Sequence, residues 1–141
     1  MQLTRLIYAS FHKGTTANTI DSILRASRSN NVRDRITGAL VVDEQHFLQL
    51  LEGSRTCVAQ CFMRIMQDDR HGDIRIISAG DIVQRQFLEW SMHMIETTQI
   101  KRAIMSQYTV DRVFDPTKMS QTAVERLCRT LSGDDWKAEA A

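Results

Sequence analysis

Gln49 lies inside the apolar run FLQLLEG, residues 47–53. Upstream, ITGALVV and the polar break Asp43-Glu44-Gln45 mark a β-hairpin. Side chains alternate across a strand, so Phe47, Gln49 and Leu51 share one face, with His46, Leu48, Leu50 and Glu52 on the other. A buried primary amide costs about 1–3 kcal/mol for each group left unpaired. Something must therefore exchange hydrogen bonds with Gln49. Tyr8, in the strand-like LTRLIYAS, shares a face with Leu6, and a buried phenol wants a partner. Helical spacing from Ile20 through Ile23, Leu24 and Ser27 reaches Asn30 and Asn31. Those amides either end the helix, Asn tolerating the left-handed conformation, or face the sheet. Arg64 borders the apolar stripe of a second helix.

Tyr, Gln and Asn are neutral donors and acceptors, and Ile23, Leu24 and Leu40 would wall the space between them. Such a slot suits a flat, apolar heteroaromatic ring with amide-like edges. These elements contain no carboxylate pair, Ser–His–Asp set or Cys–His pair, so the expectation is a ring held rather than transformed, and not an enzyme.

The elements that must position these residues follow in a simple order. A strand is expected over Leu3–Ser10, broken by Lys13-Gly14-Thr15, then a helix from Thr16 to Asn30. The hairpin Arg35–Asp43 and His46–Glu52 comes next, and Ser54 is positioned to cap a helix over Arg55–Asp68. His71-Gly72-Asp73 reads as a turn, Ile74–Ala79 and Leu88–Ile95 as the last strands. On the latter Trp90, Met92 and Met94 share a face, which simple core packing would explain. The fold class expected is α+β, a ferredoxin-like βαββαβ with an extra strand and C-terminal helices. Residues 1–96 form the domain and 97–141 a helical cap, in which Val124, Leu127, Cys128 and Leu131 make an apolar stripe closed by Ser132-Gly133. Several strands are apolar on both faces, so two covers are needed. The C-terminal helices either cover the second face or dock on a partner, as in a homo-oligomer. The tail Asp134–Ala141 reads as frayed, with Trp136 able to dock.

Composition bounds the rest. At 141 residues and 43% hydrophobic, the chain makes one globular domain. A formal net charge of +1 offers no field for nucleic acid or an anionic membrane. No apolar run approaches the roughly 18 residues of a membrane helix, and no signal peptide is visible. Three cysteines cannot all pair, and Cys57 and Cys61 lie on one expected helix. That pattern points to the cytoplasm; the two thiols read as packing groups or, without a second ligand pair, as half a metal site.

In order along residues 1–96, RLIYAS (5–10), SRSNN (27–31), ITGAL (36–40), FLQLLEG (47–53), DDRH (68–71) and FLEWSM (87–92) resemble the BLUF family of flavin-based blue-light sensors. The resemblance implies a non-covalent FAD whose ring lies between the first two helices. Asn31 would then bind the pyrimidine edge of the flavin, Gln49 its N5 and O4, and Tyr8 would hydrogen-bond Gln49. Asn30, Arg64 and His71 would help hold the ring edge or the ribityl and phosphate portion, although His71 reads equally as a loop-facing imidazole. Arg28 and Arg70 read equally as solvated charges. The implied mechanism is a light-driven rearrangement of the Gln49 amide, by rotation or tautomerisation, after electron and proton transfer from Tyr8. Trp90 and Met92 would relay it along the last strand. About 45 residues follow Glu96, too few for a catalytic domain. Output is therefore expected through a separate effector protein, an enzyme of cyclic nucleotides or cyclic di-GMP or a regulator.

Other readings fare worse. A phosphate-handling enzyme on this fold would need a cradle at a helix N-terminus, for which Lys13-Gly14-Thr15 is too thin. An RNA-binding module would carry aromatics on the central strands. A cofactor-free regulatory module is the remaining alternative, and it would be colourless.

Overall fold

The computed structural model describes residues 2–12, 17–68, 71–88 and 92–139, with the side chains of 17–19 and 71 outside the description. Its strands are β1 (Leu3–His12), β2 (Thr37–Val42), β3 (His46–Ser54), β4 (His71–Ile82) and β5 (Met92–Glu96). Its α-helices are α1 (Ala17–Asp34), α2 (Arg55–Met66), α3 (Arg102–Met105) and α4 (Gln121–Leu131). The sheet order is β4-β1-β3-β2-β5. β3 lies antiparallel between β1 and β2, while β5 adds parallel to β2. This is the ferredoxin-like arrangement with one strand added at the β2 edge.

Each face of the sheet is covered. Leu6, Tyr8, Leu40, Phe47, Leu51 and Met92 pack with Ile20 and Leu24 of α1 and Val58 and Cys61 of α2. Ile7, Ala9, Val41, Leu48, Leu50 and Ile95 pack instead with Tyr108, Phe114, Val124, Leu127, Leu131 and Trp136. The α4 stripe therefore caps its own sheet and is not a docking face for a second chain. The tail is held at residues 136–138 rather than frayed there, and Trp136 docks as its type allowed. Trp136 is buried, its carbonyl accepts from Lys101 N at 2.8 Å, and Ala138 N donates to Gln99 O at 2.8 Å.

Local signals hold at some boundaries and yield at others. Ser54 caps α2, its hydroxyl accepting from Cys57 N at 3.2 Å. Helix α1, in contrast, does not stop at Asn30. It runs to Asp34, and Arg35 closes it with φ 55°. Ile36 N donates to Asn31 O at 2.9 Å and Arg35 N to Val32 O at 3.3 Å, a Schellman closure. Residues His71–Asp73 form the start of β4 rather than a turn, because β1 extends to His12 and pairs with them. β5 starts at Met92, after the undescribed residues 89–91, whereas Leu88 lies outside any strand and is exposed. The expected break at Lys13-Gly14-Thr15 falls outside the described residues. No described helix is long and apolar enough to cross a membrane.

Candidate functional site

Three neighbouring strands place three side chains in one row. Tyr8 of β1 is opposite Gln49 of β3, and Gln49 is opposite Leu40 of β2. All three face the side covered by α1 and α2. There they floor a cleft of about 160 Å3 whose walls include Ile23, Leu24, Ser27, Asn30 and Asn31 from α1. Cys61, Arg64 and Ile65 close it from α2, with Asp68 just past that helix. Spacings of three and four residues bring each set to one helix face.

The polar groups are few and directed. The Tyr8 hydroxyl donates a hydrogen bond to Gln49 Oε1, with Tyr8 2% and Gln49 7% exposed. The Tyr8 ring packs on Phe62, centroids 5.3 Å apart. Burial pushes the Tyr8 phenol well above its ordinary range, and Cys61 and Asp68 push it further, so the proton stays on the oxygen. Because Oε1 is engaged, the Gln49 amide turns its N–H donors away from Tyr8. Asn31 is 1% exposed, and its Nδ2 has no hydrogen-bond partner. Its Oδ1 accepts from the Cys61 thiol at 3.8 Å. Burial raises that thiol, so it remains a neutral donor. At the outer end Arg64 pairs with Asp34 at 3.2 Å and stays 40% exposed.

A buried, unpartnered amide N–H in a folded core signals a missing acceptor. Asn also has poor helix propensity, yet α1 carries Asn30 and Asn31 through its last turns. Neutral amides, a phenol held protonated and aliphatic walls fit the edge and faces of an uncharged heteroaromatic ring.

The cleft thus gathers Tyr8, Ile23, Leu24, Ser27, Asn30, Asn31, Leu40, Gln49 and Arg64. Met92 is 1% exposed and belongs to the same apolar layer but does not line the cleft. Arg28 is exposed and its Nε lies 3.4 Å from Met92 O. Trp90 and Arg70 lie outside the described residues, as does the side chain of His71. Sequence reasoning missed Asp68, Cys61 and Phe47 as cleft residues. The helical interval from Cys61 through Arg64 and Ile65 to Asp68 was the available signal. No described cluster of His, Cys, Asp or Glu could hold a metal ion.

One backbone position makes the floor possible. Gly38 of β2 has φ 155°, and a Cβ there would overlap the Leu50 carbonyl. It stands opposite Leu51 on one side and Met92 on the other.

Comparison with known proteins points the same way. A family model described as BLUF, sensors of blue-light using FAD, matches residues 3–93. Photoactivated adenylate cyclase subunit beta of Euglena gracilis is 27% identical over 114 residues, 77% of this chain and 13% of that protein. The blue light- and temperature-regulated antirepressor BluF of Escherichia coli (strain K12) is 28% identical over 111 residues, 78% of this chain and 28% of its own length. The chain therefore spans less than a third of each of these two relatives. The dark-state structure of BlrB, a BLUF protein, matches with a TM-score of 0.78 at 31% identity, covering 93% of this chain and 96% of that one.

Proposed function

The chain belongs to the BLUF family of blue-light sensors, and from that premise we propose that it is a photoreceptor holding FAD non-covalently between α1 and α2. The observation that carries this reading is the Tyr8–Gln49 hydrogen bond on the floor of a cleft whose wall holds the unpartnered Asn31 Nδ2. When bound, the flavin supplies absorption of blue light and a strongly oxidising excited state.

The chain's own residues then have distinct tasks. Asn31 offers its Nδ2 donor to an amide-like ring edge, with Asn30 and Arg64 nearer the cleft mouth. Ile23, Leu24 and Leu40 exclude water from the ring faces. Tyr8 is the buried phenol from which an electron and a proton can leave, and its hydroxyl already points at Gln49. A Gln49 amide that exchanges its donor and acceptor edges changes what it offers both to Tyr8 and to the cleft. The hydrogen-bond pattern is the stored signal.

The same reading makes the chain a sensor without catalysis of its own, acting in the cytoplasm, where its three free thiols stay reduced. Residues 1–96 are the flavin-binding domain and 97–141 the cap. Output runs to a separate effector, with handlers of cyclic nucleotides suggested by relatives named as adenylate cyclase subunits and of cyclic di-GMP by a similar structure of BlrP1 in complex with that nucleotide. A homo-oligomer is part of this proposal, through a surface other than the buried α4 stripe, and light scattering over a range of concentrations tests it.

The deciding experiment is an absorption spectrum of purified protein before and after blue illumination, followed by chromatography of the released cofactor against FAD, FMN and riboflavin. A yellow protein with a small reversible red shift is expected. Colourless protein that also fails to take up added flavin would leave only the cofactor-free module.

A further inference from the structure

Glu52 lies three residues beyond Gln49 on β3, on the opposite face, and is fully buried. Its carboxylate accepts the backbone N–H groups of Gln86 at 3.0 Å and Phe87 at 2.9 Å. It also pairs with Arg5 of β1, Nε at 2.9 Å and Nη2 at 2.8 Å. Arg85 closes the same corner, Nη1 donating at 2.9 Å to both the Glu52 carbonyl and Thr37 Oγ1. A buried ion pair is a weak source of stability, because apolar side chains of similar volume often do as well. The carboxylate does what a leucine could not: it holds two consecutive amides of a segment outside any strand.

That segment leads to β5. The register puts Glu52 opposite Thr37, and the next residue of β2, Gly38, opposite Met92. The clamp and the first residue of β5 thus sit in adjacent rows of the sheet. Gly38 adds no side chain between Leu51 and Met92.

We propose, resting on the Tyr8–Gln49 switch above, that Glu52 is a positioning residue for that switch. By fixing Gln86 and Phe87 it sets where β5 enters the sheet. It thereby sets how Met92 packs in the layer containing Tyr8 and Gln49, and so how long the lit arrangement lasts. One carboxylate oxygen accepts from both amides and the other from Arg5, so Glu52→Leu, which keeps roughly the volume and removes both oxygens, is the change that releases the clamp. Arg5→Lys keeps the cation beside the carboxylate and leaves the amide clamp in place.

The test is dark recovery of the red-shifted flavin band in the flavin-loaded protein. Glu52→Leu should bind flavin and form the shift, yet recover at a rate altered on the order of fivefold, the equivalent of one hydrogen bond. Arg5→Lys should recover at the parental rate even where its melting point falls. Parental recovery in Glu52→Leu, or an equal change in both variants, overturns the proposal, since a merely stabilising ion pair would give either. Amide hydrogen exchange in the unaltered protein gives a second arm that needs no variant to fold. Protection of Gln86 and Phe87 should differ between dark and light. A normal red shift with unchanged protection there sinks the Glu52 role alone, whereas absence of any red shift in the parent sinks the switch reading and this proposal with it.

Discussion

The Tyr8–Gln49 bond can be weighed by a double-mutant cycle. Tyr8→Phe deletes one hydroxyl and keeps the ring against Phe62. It leaves Gln49 Oε1, on a residue 7% exposed, without that donor. The expected cost is about 1–3 kcal/mol, since a buried acceptor loses its partner rather than exchanging it for water. Gln49→Leu takes the Gln49 acceptor from the Tyr8 hydroxyl at similar cost, with little change of volume. The double variant removes both groups, so its cost should fall short of the sum by about 1–2 kcal/mol. Urea unfolding in the dark, at a fixed excess of flavin because a bound ligand adds stability by mass action, gives the three differences. The same samples, illuminated, should keep their flavin and lose the red shift in both single variants. Costs additive within about 0.5 kcal/mol would show that the two groups do not interact in the dark state. A normal reversible shift in either variant would refute the assignment of the switch.

Asn31→Ala should weaken flavin retention by about 1 kcal/mol for each hydrogen bond lost, read by equilibrium dialysis, while flavin-free protein loses less, since only the long Cys61 thiol bond to Oδ1 goes with the unpartnered Nδ2 donor. Unchanged retention would remove Asn31 from the site. Gly38→Ala should abolish soluble folded protein or cost more than about 3 kcal/mol, because a Cβ there overlaps the Leu50 carbonyl at a φ that L-residues avoid; unfolding within about 1 kcal/mol of the parent would contradict the close approach of β2 and β3. Alkaline stability should also fall. Burial pushes the Cys128 thiol up to about 12, and burial, Cys61 and Asp68 raise the Tyr8 phenol further still, so the native chain keeps protons that the unfolded chain releases. That stability is complete below the ordinary thiol pKa of about 8.5 and declines as pH rises, by about 1.4 kcal/mol per unit for each group, with Tyr8→Phe removing its share above about pH 10. A flat profile from pH 8 to 11 by urea unfolding would count against both burials.

Much of the site was legible because it rests on short-range geometry. Strand alternation put Gln49 and Phe47 on one face and Leu48 and Leu50 on the other, as the two apolar layers have them. Helical spacing carried the α1 stripe to Asn31, and Ser54 capped α2 as its type suggests. Reasoning from residue type alone went astray where long-range pairing decides. Asn30 and Asn31 look like a helix end, but the Schellman closure falls at Arg35, a non-glycine residue at φ 55° that sequence does not advertise. His71-Gly72-Asp73 has turn composition, yet pairing with the far end of β1 makes it strand. Asp68 lies past the C-cap of α2, which the expected helix over Arg55–Asp68 overran, and it was not counted among the site residues although it shares the spacing of Cys61, Arg64 and Ile65. The stretch around Trp136 read as a frayed tail, with only the indole able to dock, because its partners, the Ile100 region and the sheet, are contributed from far along the chain.

The sheet itself explains why a change at Gln49 has leverage. Only one layer of backbone separates the cleft from the apolar layer beneath the cap. The cap contacts include Val124, Leu127 and Leu131, whose dispersion contacts have no direction and do not register which edge of an amide faces where. Directional contacts on that far face are another matter. His46 and Glu52 stand three residues to either side of Gln49 on β3, both on the opposite face. His46 Nε2 lies 3.3 Å from Asp115, which caps the turn at Pro116 within the C-terminal segment, and Glu52 holds the segment before β5. A displacement of β3 of a few tenths of an ångström leaves apolar packing nearly unchanged but misaligns hydrogen bonds of this kind. A buried polar group that loses its partner costs about 1–3 kcal/mol, enough to shift a two-state arrangement by a factor of ten or more. Strand β3 thus carries Gln49, the amide proposed to switch, at its centre and a polar joint on either side of it, one to the cap and one to the entry of β5.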